Sequence, residues 1–280
     1  MKKLYVLSVL LLSYAPSYSQ AYKSIDKLNY YCEYRFIYQP DSTDRKSQKI
    51  ENMILLVGDS SSVFYSRNEY AKDSIYMANQ VWNLSADEKM RLLAGIQKTD
   101  IKYKIIKYQH SKETLFRENI FRDTFEYKEP LNQFNWQILD STKVITGYQC
   151  QKATTNFAGR NYEAWFSTEV PISDGPYKFN GLPGLIVSMN DSKKQYIFQL
   201  VGFKAVQNQA ILIPKAKIFG ISKELFNTKK LEFEASPFKT FTQNNTNMTF
   251  STGGSEISAQ EMDKLVQEEL KKKNNPIELK

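Results

Sequence analysis

The 280-residue chain has one histidine, His110, and two cysteines, Cys32 and Cys150. A histidine-built metal centre and a cysteine–histidine catalytic pair both need more than that. His110 stands beside the turn-like Ser111-Lys112-Glu113 and reads as a surface loop residue. Also missing are Gly-x-Ser-x-Gly, His-Glu-x-x-His and the Walker phosphate loop, so no cofactor and no motif-borne chemistry is expected. No apolar run reaches the roughly 20 residues needed to span a bilayer, so the mature chain should contain no transmembrane segment. Charge of one sign is nowhere concentrated: 38 Lys and Arg against 30 Asp and Glu give +8, and the two signs are interleaved. Without a basic block spaced by aromatics, nucleic acid is not expected as a partner. Nor does any linker rich in Pro, Gly or Ser divide the chain, which points to one domain over residues 20–280.

What is present begins with Met1-Lys2-Lys3, an apolar stretch to Leu12, a break at Ala15-Pro16 and the small residues Ser17-Tyr18-Ser19. That pattern reads as a secretory signal peptide over residues 1–19, cleaved after Ser19. The expectation is an exported protein of the periplasm or outer cell envelope; losing Lys2 and Lys3 takes the net charge from +8 to +6. Such a compartment permits disulfides, so Cys32 and Cys150 form either one bridge or two buried thiols, and the sequence leaves both open.

Aromatics are abundant: 18 Tyr, 17 Phe and 3 Trp make 14% of the chain, a composition suited to strands. Tyr30, Cys32, Tyr34, Phe36 and Tyr38 fall on alternate positions, the period of a strand with one aromatic face. Residues 52–57 and 62–66 read as strands joined at Gly58-Asp59; residues 67–96 favour helix. Further strands are predicted over 101–108, 114–119, 123–127 and 134–139. After a turn at Asp140-Ser141-Thr142-Lys143 come a strand to about 154 and others over 160–168, 185–189 and 195–204. Beyond about residue 205 helix and loop dominate, with helices over 222–233 and 259–273 separated by the polar run 243–247 and Gly253-Gly254. The fold class is mainly β: a curved antiparallel sheet or open half-barrel, with a few helices mostly C-terminal.

One stretch crowds two prolines and three glycines together: GPYKFNGLPGLIVSMND, residues 175–191. Gly175-Pro176 and Asn180-Gly181 mark reversals. Leu182-Pro183-Gly184-Leu185 has the residues of a type II turn, with positive φ expected at Gly184. The spacing does not suit a phosphate loop, so the glycines read as structural. Together with Gly147-Tyr148-Gln149-Cys150-Gln151-Lys152-Ala153 and Ala164-Trp165-Phe166, this stretch resembles the GLPGLI family of exported proteins of Bacteroidetes-type bacteria. The resemblance runs over residues 136–191. It implies location and fold, and it brings no reaction and no catalytic residues.

Carboxylates such as Asp73 with Asp87, or Glu163 with Glu169, sit in charged surroundings typical of a solvated surface. Asp140, Asp174, Asn190 and Asp191 are common turn residues, so no metal site is expected. The aromatic excess is more informative, because Trp165 and Phe166 point to opposite faces of one strand. Trp165, Phe179, Tyr177 and Arg160 are the candidate ligand-binding residues; Arg160 and Lys152 lie in strands beside the motif, where they could orient an anionic group. The reading is a non-catalytic binding module for an apolar or peptidic ligand, or for a partner such as an outer-membrane protein. The alternatives are an accessory subunit of an outer-membrane transport or secretion assembly and an envelope hydrolase using carboxylates.

Overall fold

A computed structural model describes residues 22–79, 84–120, 123–236, 249–252 and 255–279. The leader, the polar run 243–247 and Gly253-Gly254 lie outside the described residues. Among the described residues fourteen strands and four α-helices follow in chain order. Strands β1 (Tyr22–Tyr38), β2 (Lys49–Val57) and β3 (Ser61–Ser66) lead to helices α1 (Arg67–Asn79) and α2 (Ala86–Leu93). Next come β4 (Lys104–Tyr108), β5 (Glu113–Ile120), β6 (Asp123–Pro130), β7 (Gln137–Ile145), β8 (Tyr148–Phe157), β9 (Arg160–Ser167), β10 (Leu185–Asp191), β11 (Tyr196–Pro214) and β12 (Ile218–Gly220). Helix α3 (Lys223–Ala235), the hairpin β13 (Thr249–Thr252) and β14 (Ser255–Ser258), and helix α4 (Ala259–Lys271) complete the order.

Twelve strands form one open sheet in the order β12-β6-β5-β4-β3-β2-β1-β11-β10-β9-β8-β7. Every pairing in it is antiparallel except β12 on β6, which is parallel. Alternation in β1 puts Cys32, Tyr34, Phe36 and Tyr38 on the buried face, where Phe36 stacks on its cross-strand partner Phe198 at 4.3 Å. The opposite face buries Ile54, Leu56, Val63, Tyr65 and Ile106. Tyr70 of α1 covers that face, 6.0 Å from Tyr65, and Lys104 reaches Asp73 at 2.5 Å. Two apolar faces with separate covers explain why so many aromatics are needed.

The sheet curls. Lys178 reaches Tyr127 of β6 at 3.2 Å, while its neighbour Phe179 lies 5.5 Å from Phe157 of β8. Strands β6 and β8 are nine steps apart in the sheet order, about 43 Å if the sheet were flat. One dipeptide touches both, so the two wings fold toward each other around residues 168–184.

Two boundaries differ from the sequence reading. The turn expected at residues 140–143 is instead a register irregularity inside β7, between Ile138 and Thr142. The chain reverses later, at Thr146 (φ 47°) and Gly147 (φ 88°), whose paired positive φ values match the right-handed twist of a two-residue hairpin. Strand β11 runs on to Pro214, because its second half pairs with the first half of β1 from Tyr22 to Leu28. Non-local pairing extends a strand that local composition ends near residue 204.

Candidate functional site

Residues 168–184 have almost no regular structure, yet positions 174–180 are all buried. Such a segment must satisfy its backbone without a ladder. The Phe179 amide donates to Pro176 O at 3.1 Å, closing a four-residue turn in which Tyr177 holds φ at 54°. Trp136 Nε1 donates to Asn180 O at 2.8 Å, and Asn180 Nδ2 donates to Leu131 O at 2.9 Å. Lys107 of β4 donates to Gly175 O at 2.8 Å and pairs with Asp174, which also accepts from Ser62 at 2.5 Å. Burial holds the Lys107 ammonium below the usual lysine value, with Asp174 pulling the other way.

A second buried lysine anchors the other side of the turn. Lys178, with no solvent exposure, pairs with Glu129 of β6 and with Glu278 at 2.5 Å. Lys223 of α3 closes the cycle, at 2.9 Å from Glu129 and 2.7 Å from Glu278. Burial acts to raise the Glu278 carboxyl, but Lys178, Lys223 and the Tyr177 hydroxyl outweigh it and hold the group below the ordinary glutamate value. The four charges balance, as charges withdrawn from water must.

Above this quartet the curled face is not filled. A cleft of about 560 Å³ remains between the sheet, α3 and residues 273–279. Phe36 and Tyr38 of β1, Phe116 of β5 and Tyr127 of β6 form its floor, and Tyr177 and Phe226 close its sides. Most charges at its rim are paired, Glu118 with Lys230 at 3.0 Å and Asp100 with Lys49 at 2.6 Å, and Glu234 makes no ion pair among the described residues. Burial raises the Glu234 carboxyl above its ordinary value, Lys230 opposing and Glu118 adding to the effect. An aromatic floor with a largely neutralised rim suits an apolar guest of moderate size.

The four sequence candidates are not brought together here. Only Tyr177 lines the cleft. Phe179 is wholly buried and packs on five rings, the nearest Tyr162 at 4.8 Å, so it is core. Trp165 is 7% exposed, its indole donating to Glu163 at 2.9 Å beneath Lys143, and it lies away from the cleft. Arg160 has no free guanidinium face for an anion: it pairs with Asp191 at 3.1 Å and binds Gln195 and residues 275–277. Lys152 is spent on Glu163 at 2.6 Å.

Cys32 and Cys150 are both buried and free, the second of the two alternatives the sequence leaves open. Among the described residues no cluster of His, Cys, Asp and Glu could hold a metal ion, and no helix is long and apolar enough to cross a membrane. His110 sits exposed in a turn.

The turn glycines act differently from expectation. Gly181 is at φ 94°, a conformation that favours glycine, but Gly184 is not in the positive range. A Cβ on Gly184 would lie 2.1 Å from Ser167 O and 2.5 Å from its carbonyl carbon, so close backbone approach is what demands glycine there. Gly175 is required for a similar reason, since a Cβ would meet the Ile186 side chain at 2.7 Å.

The stretch that builds this buried turn is also the one shared with other proteins. Residues 157–188 match the Porph_ging family, a protein family of unknown function. It is also known as the GLPGLI family. In this chain the GLPGLI residues, Gly181 to Ile186, are the strand entry of β10 and the close contact with the end of β9. No curated protein matches the chain. Among solved structures the fold resembles PNGF-II in two crystal forms, space groups P21 and C2, each at 10% identity over 74% of this chain with a TM-score of 0.51. The chain spans only 34% and 33% of those chains, about a third of their length. At that identity the likeness is one of fold alone.

Sequence reasoning missed Lys107, Lys178, Glu129, Lys223 and Glu278. Charged residues in strands and loops read as solvated, and nothing local announces that their partners lie 67 and 100 positions away.

Proposed function

We propose that this protein is a non-catalytic binding module that holds an apolar ligand in the aromatic cleft. The single observation that carries the reading is a cleft of about 560 Å³ floored by aromatic rings, whose rim charges are paired except for Glu234, a carboxyl that burial pushes toward its neutral form. A site that would orient a charged reactant keeps an unspent ionic group, whereas this one offers rings, compensated ions and one carboxyl that burial disfavours in its charged form. The amino-terminal pattern supports export to the periplasm or outer envelope, where such a module would meet its ligand.

Native mass spectrometry of the mature protein, gently purified from its host envelope, tests this. An added small mass that disappears in Asn227→Trp, which fills the cleft from an exposed position on α3, is the expected result. A bare protein that also fails to brighten an apolar fluorescent probe would overturn it.

A further inference from the structure

Residues 274–279 cross the mouth of the cleft as an extended strap, outside every strand and helix. Its backbone is read by side chains and loops of the sheet. Arg160 donates to Pro276 O at 2.7 Å and Ile277 O at 3.2 Å, and Tyr162 adds a 3.2 Å bond to Ile277 O. Tyr196 donates to Asn275 O, the Asn275 amide donates to Pro40 O at 3.0 Å, and the Leu279 amide donates to Ala158 O at 2.8 Å. Arg160 is itself set in place by Asp191 and by the Tyr196 ring 4.7 Å beneath it, and is 5% exposed.

Two strap side chains are recognised as well. Asn275 accepts from Arg160 at 2.6 Å and donates to Gln39 O at 2.7 Å. Glu278 accepts from the Tyr177 hydroxyl at 2.6 Å and meets Lys178 and Lys223. Without that carboxylate, Lys178, Lys223 and Glu129 would be left with one uncompensated positive charge in a buried place. Two of the strap's apolar residues, by contrast, are weakly seated, Leu279 being 50% exposed and Pro276 exposed, while Ile277 is half-buried against the core. The groove thus holds a main chain and a carboxylate firmly and leaves the aromatic cleft beneath unfilled.

We propose that this groove is a recognition site for an extended peptide of another protein carrying an acidic side chain three residues after an asparagine, and that the strap is its resident intramolecular occupant. Side chains aimed at successive carbonyls, with one buried cationic pocket, are the means by which an extended peptide is held without a sheet edge. Tethering gives the strap an effective concentration of the order of millimolar, so a competing peptide succeeds only when it binds better or the strap is loosened. The inference goes beyond the apolar-ligand reading and depends only on the groove.

The test uses the full mature chain and a fluorescein-labelled peptide, Asn-Asn-Pro-Ile-Glu-Leu-Lys. In the Asn275→Ala protein, which loosens the strap without touching the charge quartet, the peptide should bind at least tenfold tighter than to the unmodified protein. The same peptide with its glutamate changed to glutamine should bind at least tenfold weaker. Hydrogen exchange at the Leu279 amide should accelerate as the peptide saturates. The Glu278→Gln protein, loosened at the other end, provides a second background with the same expectation. Absence of binding in both variants, or binding indifferent to the peptide carboxylate, or binding without release of the Leu279 amide, overturns the inference. Because the Asn227→Trp change fills the cleft and not the groove, loss of apolar-probe binding and loss of peptide binding report on the two readings separately.

Discussion

Two irregular segments lie on the curled face, and the sheet treats them oppositely. Residues 174–180 are buried throughout, with rings packed on both sides and a lysine under each shoulder of the turn. Residues 274–279 are held almost as fully by hydrogen bonds, yet Asn275 is the one strap residue that is buried. Hydrogen bonds and ion pairs alone fix position and specificity; apolar burial is what makes a segment part of the core. The first segment is therefore structural, and the second borders an open cleft.

The largest effect should come from the buried pair beneath the first segment. Lys107→Met leaves Asp174 buried without its cation and should cost about 3–5 kcal/mol in denaturant unfolding, whereas Lys49→Met on an exposed pair should cost about 1 kcal/mol or less. Equal losses at the two sites would erase the distinction between core and surface charge.

Glycine substitutions sharpen the same comparison. Gly184→Ala forces a Cβ against the Ser167 carbonyl and should cost about 3 kcal/mol, while Gly181→Ala, with Trp136 no nearer than 3.8 Å, should cost only the conformational term of about 1–2 kcal/mol. Thermal melts in the reverse order would mean that backbone approach is not what the motif's final glycine serves.

Acid should separate the segments next. Glu278 has its folded pKa lowered, so its contribution is present above the ordinary value of 4.5 and is lost as pH falls through the lower folded value. Exchange at the Asn275 and Leu279 amides should quicken below about pH 4.5 before amides of β1 respond. Simultaneous loss would show that strap and sheet unfold as one unit.

The smallest change in stability belongs to Asn227→Trp. At an exposed helical site the shift should stay within about 0.5 kcal/mol, although apolar-probe binding is lost. A large destabilisation would place that position in the core instead of at an open cleft.

Much of the sheet could be read from the chain because strand alternation is a local property. Tyr30 to Tyr38 show it, and β2, β3, β5, β9 and β10 fall within a few residues of the expected bounds. Helices α3 and α4 were legible from composition, and the structure adds Ser222 and Ser258 as the residues that cap them. The candidate site was far less accessible. Trp165 and Phe179 stood out as aromatic, but a ring's type does not say whether it meets ligand or other rings.

The sequence by itself determined the class of fold, the alternating faces and the reversal at Asn180-Gly181, since each rests on neighbours along the chain. Only the tertiary structure decided that Gly184 answers to the Ser167 backbone, that Lys107 and Lys178 are buried, and that Arg160 grips a strap instead of a free anion. Those outcomes depend on partners brought together from distant strands by the curl of the sheet, and charge pairing in a buried place is set by three-dimensional proximity, to which local pattern is blind.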